Sequence, residues 1–287
     1  MTTTTESVLP SAVREYYQEK TARLLDKYGP GPRVHYHIGY FPDAGMVRAE
    51  SPEAVRSVIR DAQVELVRRA AAVWDAAATL SGRILDIGCG LGGGALHWAE
   101  HHGATVTAVT IAGEHAPVIE RHAAEAGVSD RIRVLVGDAA ELSFGPGHDG
   151  AVAMESMCYM DRAAVFRRVA AALRPGASFC VQDVFLRDPA WKKTFDRYWA
   201  TDIGTAEEYR RNAGAAGLTM DRNERVTERT SDFWVHSIAW IEAKLAATAP
   251  NTTEQARLLE SLRRHALFYR AWREGAFDIR FLRFTKY

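Results

Sequence analysis

The run ILDIGCGLGGG, Ile84 to Gly94, concentrates more chemistry than any other segment of the chain. An apolar stretch delivers Asp86, and Gly88, Gly90 and Gly92 then turn tightly toward a helix. Glycines let a backbone pass close to a ligand with no side chain in the way. The spacing is G-x-G-x-G, with an acid two positions before the first glycine, whereas dinucleotide sites use G-x-G-x-x-G. A second group is VAMESMCYMD (152–161), which places Glu155 after another apolar run and Tyr159 one helical turn later. A carboxylate among aromatic faces can stabilise a developing positive charge or accept a proton. A third group joins Tyr16 and Tyr17 to VHYHIGYF (34–41), where His35 or His37 could act as a general base, as could His236 further on. Histidines two apart on an extended segment point to opposite sides, so a metal there would need help from His236 or His265, and no metal site is expected.

These residues need a scaffold that brings them to one edge. Short apolar runs at 83–88, 105–111, 131–138, 150–156 and 178–185 alternate with helical patterns at 95–102, 114–126 and 162–173. Strands and helices alternating at this length predict an α/β fold with a mostly parallel sheet covered on both faces. Ligands of such sheets lie beyond the carboxyl ends of the strands, where Asp86, Glu155 and the glycine loop all fall. Ahead of this core, residues 1–10 read as disordered, a helix is predicted from Ser11 to about Lys27, and another from about Pro52 to Ala78. The alternation in FDIRFLRFTKY (277–287) predicts a late antiparallel edge strand. The expected organisation is a lid helix and aromatic loop (1–50), a ligand-binding core (51–185), a largely helical cap (186–275) and a C-terminal strand of the core sheet (276–287).

The D-x-G-x-G-x-G pattern resembles the class I S-adenosylmethionine (SAM)-dependent methyltransferases. SAM has no pyrophosphate but carries an α-amino group that needs a carboxylate or carbonyl partner. The likeness covers roughly residues 50–220 and includes VGDAAEL after the third strand and LRPGASF before the fifth. It implies a Rossmann-like fold with a helical lid and helical cap. It further implies that Asp86, Gly88, Gly90 and Gly92 hold the methionine end of SAM, while Asp138, with Ala139 beside it, accepts from the adenine amino group. Many relatives end the second strand in an acid that binds the ribose; here AVTIAGEH puts Thr110, Ile111 and His115 there. That version resembles the "GxTLSxxQ" form of sterol, prenyl diphosphate and unsaturated-lipid methyltransferases, with His115 where that form has Gln. Glu155 and Tyr159 resemble the "ESxxYxxD" segment, which in that subgroup lies near the methylation centre. Tyr16, Tyr17 and HxGYF resemble a lid that closes over SAM and excludes water.

Lys+Arg and Asp+Glu both total 36, so no chain-wide basic field exists to hold nucleic acid or an anionic membrane. Cys89, Cys158 and Cys180 are odd in number and set among apolar residues, which predicts free thiols in a reducing, cytoplasmic setting. The start MTTTTESVLP lacks the pattern of a signal peptide. The expected partner is a small hydrophobic acceptor, suggested by Trp191, Phe195, Tyr198, Trp199, Phe233, Trp234 and Trp240 in the cap. Arg33, Lys192, Lys193, Arg210 and Arg211 could hold a diphosphate. Self-association, with an exchanged N-terminal helix, stays open. The leading expectation is C-methylation of an electron-rich or alkenyl carbon in specialised metabolism. O- or N-methylation of a small natural product, and SAM binding without transfer by a cyclase or scaffold, are the alternatives.

Overall fold

The structure, a computed structural model, describes residues 8–42 and 51–287. Its elements in chain order are α1 (Val8–Tyr28), α2 (Pro52–Trp74), α3 (Ala76–Thr79), β1 (Arg83–Ile87), α4 (Gly93–His102), β2 (Thr105–Thr110), α5 (Ala116–Glu125), β3 (Ile132–Val136), β4 (His148–Met154), α6 (Arg162–Ala172), β5 (Leu173–Leu186), α7 (Lys192–Trp199), α8 (Ala206–Ala215), β6 (Leu218–Arg225), α9 (Asp232–Ala246), α10 (Thr253–Arg273) and β7 (Phe277–Lys286). The strands form one seven-stranded sheet in the order β3-β2-β1-β4-β5-β7-β6. β1 to β5 pair in parallel, and β7 runs antiparallel to both β5 and β6.

Successive side chains of a strand point to opposite faces, and two separate apolar clusters follow from this. Ile84, Val106, Val152 and Cys180 pack on one face with Leu66 and Trp74 of α2 and Leu96 and Trp98 of α4. Leu85, Ile87, Ala151, Phe179 and Val181 pack on the other with Val165 and Phe166 of α6 and Tyr209 of α8. Because both faces are covered, the central strands are almost wholly apolar, and Asp86 is a buried exception on the Ile84 face. The order reverses between β1 and β4, so loops after these two strands diverge and leave a crevice at their carboxyl ends.

Three expectations change. The helix predicted from Pro52 to Ala78 breaks at Asp75, whose left-handed φ of 55° lets its N–H close on Ala71 and Ala72 carbonyls before α3 begins. The C-terminal strand is not an edge: β6, within the segment 186–275 read as largely helical, flanks it. β6 reads LTMDRNER and is largely solvent-facing, so its apolar alternation is weak. Residues 8–10, read as disordered, instead begin α1, while residues 1–7 lie outside the described residues, as do 43–50 of the aromatic-loop segment. Among the described residues no helix is long and apolar enough to cross a membrane.

Candidate active site

The turn after β1 is built by hydrogen bonds that leave its inner side bare. Gly88 and Cys89 both donate their N–H to the Val109 carbonyl of β2 at 2.9 Å, and Gly92 donates to Cys89. Gly88, Gly90 and Gly92 all adopt positive φ. A Cβ on Gly88 would sit 2.4 Å from Ser156 Cβ, whereas one on Gly90 would point into open space. Gly88 is therefore required by packing, and Gly90 by its left-handed backbone, beside which the space is open. Asp86 lies below this turn with its Oδ2 buried and without a hydrogen-bond partner. Burial alone pushes its carboxyl up to about 7. A buried carboxylate oxygen left open beside a bare backbone fits an incoming ammonium, and this is the feature that SAM's amino group would satisfy.

Around the turn is a cavity of about 730 Å³ lined by Asp86, Gly88, Gly90, Thr110, Ile111, His115 and Tyr17 among others. His115 is buried and its Nε2 lies 3.0 Å from Thr21 Oγ1 of α1. Tyr17 meets the same imidazole edge to face at 5.2 Å. The lid helix is thus tied to the region after β2. Thr110 Oγ1 accepts from the Ala112 N–H at 3.2 Å, which shapes the bend. Asp138 and Ala139 do not line this cavity: Asp138 Oδ1 caps its own loop by accepting from Ala140 N–H at 2.9 Å. Tyr16 is also outside it, with its hydroxyl 2.9 Å from that of Tyr36. None of these three side chains lines the glycine cavity.

A second cavity, of about 1230 Å³, lies between α1, α7, α9, α10 and the sheet edge. Phe195, Tyr198, Trp199, Phe233, Trp234 and Trp240 line it, as their density in the sequence suggested, while Trp191 packs instead on Phe277. Four residues face both cavities: Tyr36, His37, Glu155 and Tyr159. They form the wall across which a donor and an acceptor would meet.

Glu155 follows β4 in a left-handed conformation, φ 46°, uncommon for a side chain with a Cβ. Its N–H donates to the Gln182 carbonyl at 2.7 Å, and Ser156 Oγ donates to the Ile87 carbonyl at 2.6 Å, which locks the bend to β5 and β1. Its carboxylate accepts from Ile38 N–H at 3.2 Å and from Gln182 Nε2 at 3.0 Å. Burial raises its carboxyl to about 8, with the neighbouring Asp183 adding to the rise, against the two hydrogen bonds that favour the anion. Asp183 itself accepts from Tyr209 Oη at 2.7 Å and is raised to about 6 by burial. Gln182 and Asp183 were not singled out from the sequence; the available signal was a polar pair inside the otherwise apolar run SFCVQDVF.

His37 lines the wall, but both its nitrogens are committed. Nδ1 is 2.7 Å from the Ile38 carbonyl and so carries the proton. Nε2, 3.2 Å from His35 Nδ1, is then the acceptor of that partner's N–H. Burial lowers its pKa to about 4. His37 therefore offers an acceptor molecule no free lone pair, and it holds the loop in place instead, helped by Gln63 donating to its carbonyl at 2.6 Å. His236, the other base considered, is buried with its ring stacked on Phe41 at 5.0 Å and faces neither cavity. The cations considered for a diphosphate are also elsewhere: Arg33 pairs with Glu100, Lys192 with Asp196 and Asp202, Arg210 with Glu207, and Lys193 and Arg211 are exposed. Cys89, Cys158 and Cys180 are free and buried. Among the described residues no group of three His, Cys, Asp or Glu could hold a metal ion.

Residues 84–176 match the family model described as a methyltransferase domain. A probable chloroplastic tocopherol O-methyltransferase of Oryza sativa subsp. japonica is 28% identical over 218 residues, 70% of this chain but only 58% of that protein. The 27-O-demethylrifamycin SV methyltransferase of Amycolatopsis mediterranei is 28% identical over 222 residues, 74% of this chain and 76% of that one. Among solved structures, geranyl diphosphate C-methyltransferase from Streptomyces coelicolor, in complex with Mg²⁺, geranyl diphosphate and S-adenosyl-L-homocysteine, aligns with a TM-score of 0.79 over 98% of this chain and 99% of that one. At 19% identity that likeness establishes the fold.

Proposed function

We propose that this chain, which belongs to the class I SAM-dependent methyltransferases, transfers a methyl group from SAM to an electron-rich carbon of a small hydrophobic acceptor. The observation that carries this is Glu155, a carboxyl group held on the wall common to a glycine-lined cavity and an aromatic one. Asp86 would hold the donor's amino group, the Gly88–Gly92 backbone would lie along its methionine end, and Thr110, Ile111 and His115 would face its ribose. When bound, SAM supplies an electrophilic methyl on a positively charged sulfur.

The rest is positioning and electrostatics. An alkene that accepts a methyl group is left with a carbocation. The Glu155 anion and the ring faces of Tyr159 and Tyr17 stabilise such a charge. Near neutrality the resting carboxyl is largely protonated; a cation within a few ångströms favours its ionised form. The same oxygen can then take the proton lost from the adjacent carbon. Ile38 and Gln182 hold the carboxylate in place, and α1 shields the site from water.

Relatives that methylate oxygen, the tocopherol and rifamycin enzymes, favour a second reading in which the acceptor is a hydroxyl. Glu155 would then be the base, since His37 has no lone pair to offer. Incubation with SAM and paired acceptors, a prenyl alcohol against a phenol of similar size, tests both readings through mass spectrometry of the product and S-adenosylhomocysteine release. Carbon methylation of the alkene supports the first reading; methylation only at oxygen refutes it. Tight SAM binding with no S-adenosylhomocysteine from any acceptor refutes both and leaves a cyclase or scaffold.

A further inference from the structure

We infer that the aromatic cavity carries an anion-recognition site on α1, formed by Lys20 and Lys27, so that its acceptor is an apolar molecule bearing an oxyanion head. This rests on the aromatic cavity being the acceptor site. Tyr17, Lys20, Leu24 and Lys27 recur at helical spacing and fall on one face of α1, and all but Tyr17 line the aromatic cavity. That face points into the molecule, where an amphipathic helix ordinarily carries only apolar side chains. Two ammonium groups there are not explained by solubility.

Among the described residues neither lysine forms an ion pair with an acid. Lys27 Nζ donates to the neutral Ser237 Oγ at 3.2 Å and otherwise faces the rings of Tyr28, Phe233 and Trp240 at 5.1, 5.7 and 5.5 Å. Lys20 Nζ sits 3.8 Å from the centroid of Tyr16 and 5.4 Å from that of Tyr198. Among the described residues no carboxylate lies within ion-pair distance of either. Asp26, in the same wall, is taken by Lys244 at 3.0 Å, and Arg257 by Glu254. Burial lowers Lys27 to about 7 and Lys20 to about 8, the expected sign for ammonium groups lacking an anion. Burial, and after it the two ammonium charges, lower His265 of α10 to about 3.

Ring faces offset only part of the cost of burying an ammonium; a charge-assisted hydrogen bond to an oxyanion would offset more. Carboxylate and phosphate heads share the required chemistry. An acceptor so anchored would lie along the aromatic wall, which would fix which of its carbons reaches Glu155.

The test is calorimetric titration, with S-adenosylhomocysteine present, of three probes that share one chain: dodecanoate, dodecyl phosphate and dodecan-1-ol. Both anions, or one of them, should bind at least about tenfold more tightly than the alcohol, and comparing the two identifies the head group. Lys20→Met with Lys27→Met should abolish that preference and leave alcohol affinity equal or improved. Lys20→Arg with Lys27→Arg should keep it. Unchanged S-adenosylhomocysteine affinity in each variant certifies the fold. Equal binding of alcohol and anions by the unaltered protein, or a preference that survives the Met variants, overturns the inference while leaving the methyl-transfer reading intact. Failure of all three probes to bind, with S-adenosylhomocysteine binding normal, overturns the inference and removes the aromatic cavity as acceptor site.

Discussion

Replacing Glu155 by Gln should stabilise the protein in alkaline solution while abolishing its activity. In the fold the carboxyl titrates at about 8, against 4.5 for the free side chain. Ionisation is therefore penalised by folding: the penalty is absent below about 4.5, grows as pH rises, and is complete above about 8. At about 1.4 kcal/mol per unit, the displacement corresponds to about 5 kcal/mol. Glu155 is half-buried, and solvent screening reduces the expected gain to about 2–5 kcal/mol at pH 9. Glutamine keeps the shape. Its carbonyl can still accept from Ile38 N–H, and its amide can donate to Gln182 Oε1, which is buried without a partner. For a chain of this size the gain is a rise in melting temperature of about 4–10 °C at pH 9 and almost none at pH 5. Scanning calorimetry of ligand-free wild type and Glu155→Gln at pH 5, 7 and 9 measures it. Methyl transfer by the variant, followed as S-adenosylhomocysteine release, should fall at least about 100-fold, because a neutral amide neither stabilises a cation as an anion does nor takes a proton. A melting-point difference that does not depend on pH, or a variant that retains activity, refutes the electrostatic account of Glu155.

Other outcomes follow from the same geometry. Asp86→Asn should weaken SAM binding by about 10- to 100-fold in calorimetry, the worth of a charge-assisted hydrogen bond. Wild-type affinity should also decline as pH falls through about 7, because protonation of Asp86 removes the anion that holds the ammonium. Gly88→Ala should cost about 2–4 kcal/mol in denaturant unfolding, since its Cβ would lie 2.4 Å from Ser156 Cβ at a left-handed φ of 73°. Gly90→Ala, with open space beside it, should cost only about 1 kcal/mol of backbone strain while reducing SAM affinity by filling the cradle. His37→Gln should lower the transfer rate less than about tenfold and leave the pH–rate profile unaltered; a loss of 100-fold or more would restore His37 as a base.

What the sequence made legible was whatever the local backbone dictates. The strand-turn-helix at 84–94 needs glycines at its bends, so Asp86 and the cradle were readable from a single stretch. Glu155 was readable for the same reason, as a carboxylate at the end of an apolar run in a sheet whose ligands sit at that edge. β6 was not, because an edge strand exposed to water has little apolar alternation to betray it. Asp138 shows a different limit: its place after β3 was readable, but that one of its oxygens turns back to cap its own loop is a side-chain choice that residue order does not record.

His37 and the two lysines carry that point further. The residue type of His37 suits a base, and its position does put it on the wall between the cavities. Its chemistry is nevertheless decided by His35 and the Ile38 carbonyl, which together fix the tautomer and consume both nitrogens. For Lys20 and Lys27 the missing information is the reverse. They stand seven positions apart in the sequence, but only the placement of α1 across the aromatic cavity from α9 and α10 turns that face inward and makes the charges costly. A side chain's type limits what it can do; the neighbours brought by distant segments determine which lone pair or proton is left for a ligand. Among the described residues, the charged groups that line the two cavities without a counter-ion include Asp86 in one and the two lysines in the other, and these are of opposite sign. A cationic donor and an anionic acceptor would therefore be drawn to opposite sides of the Glu155 wall.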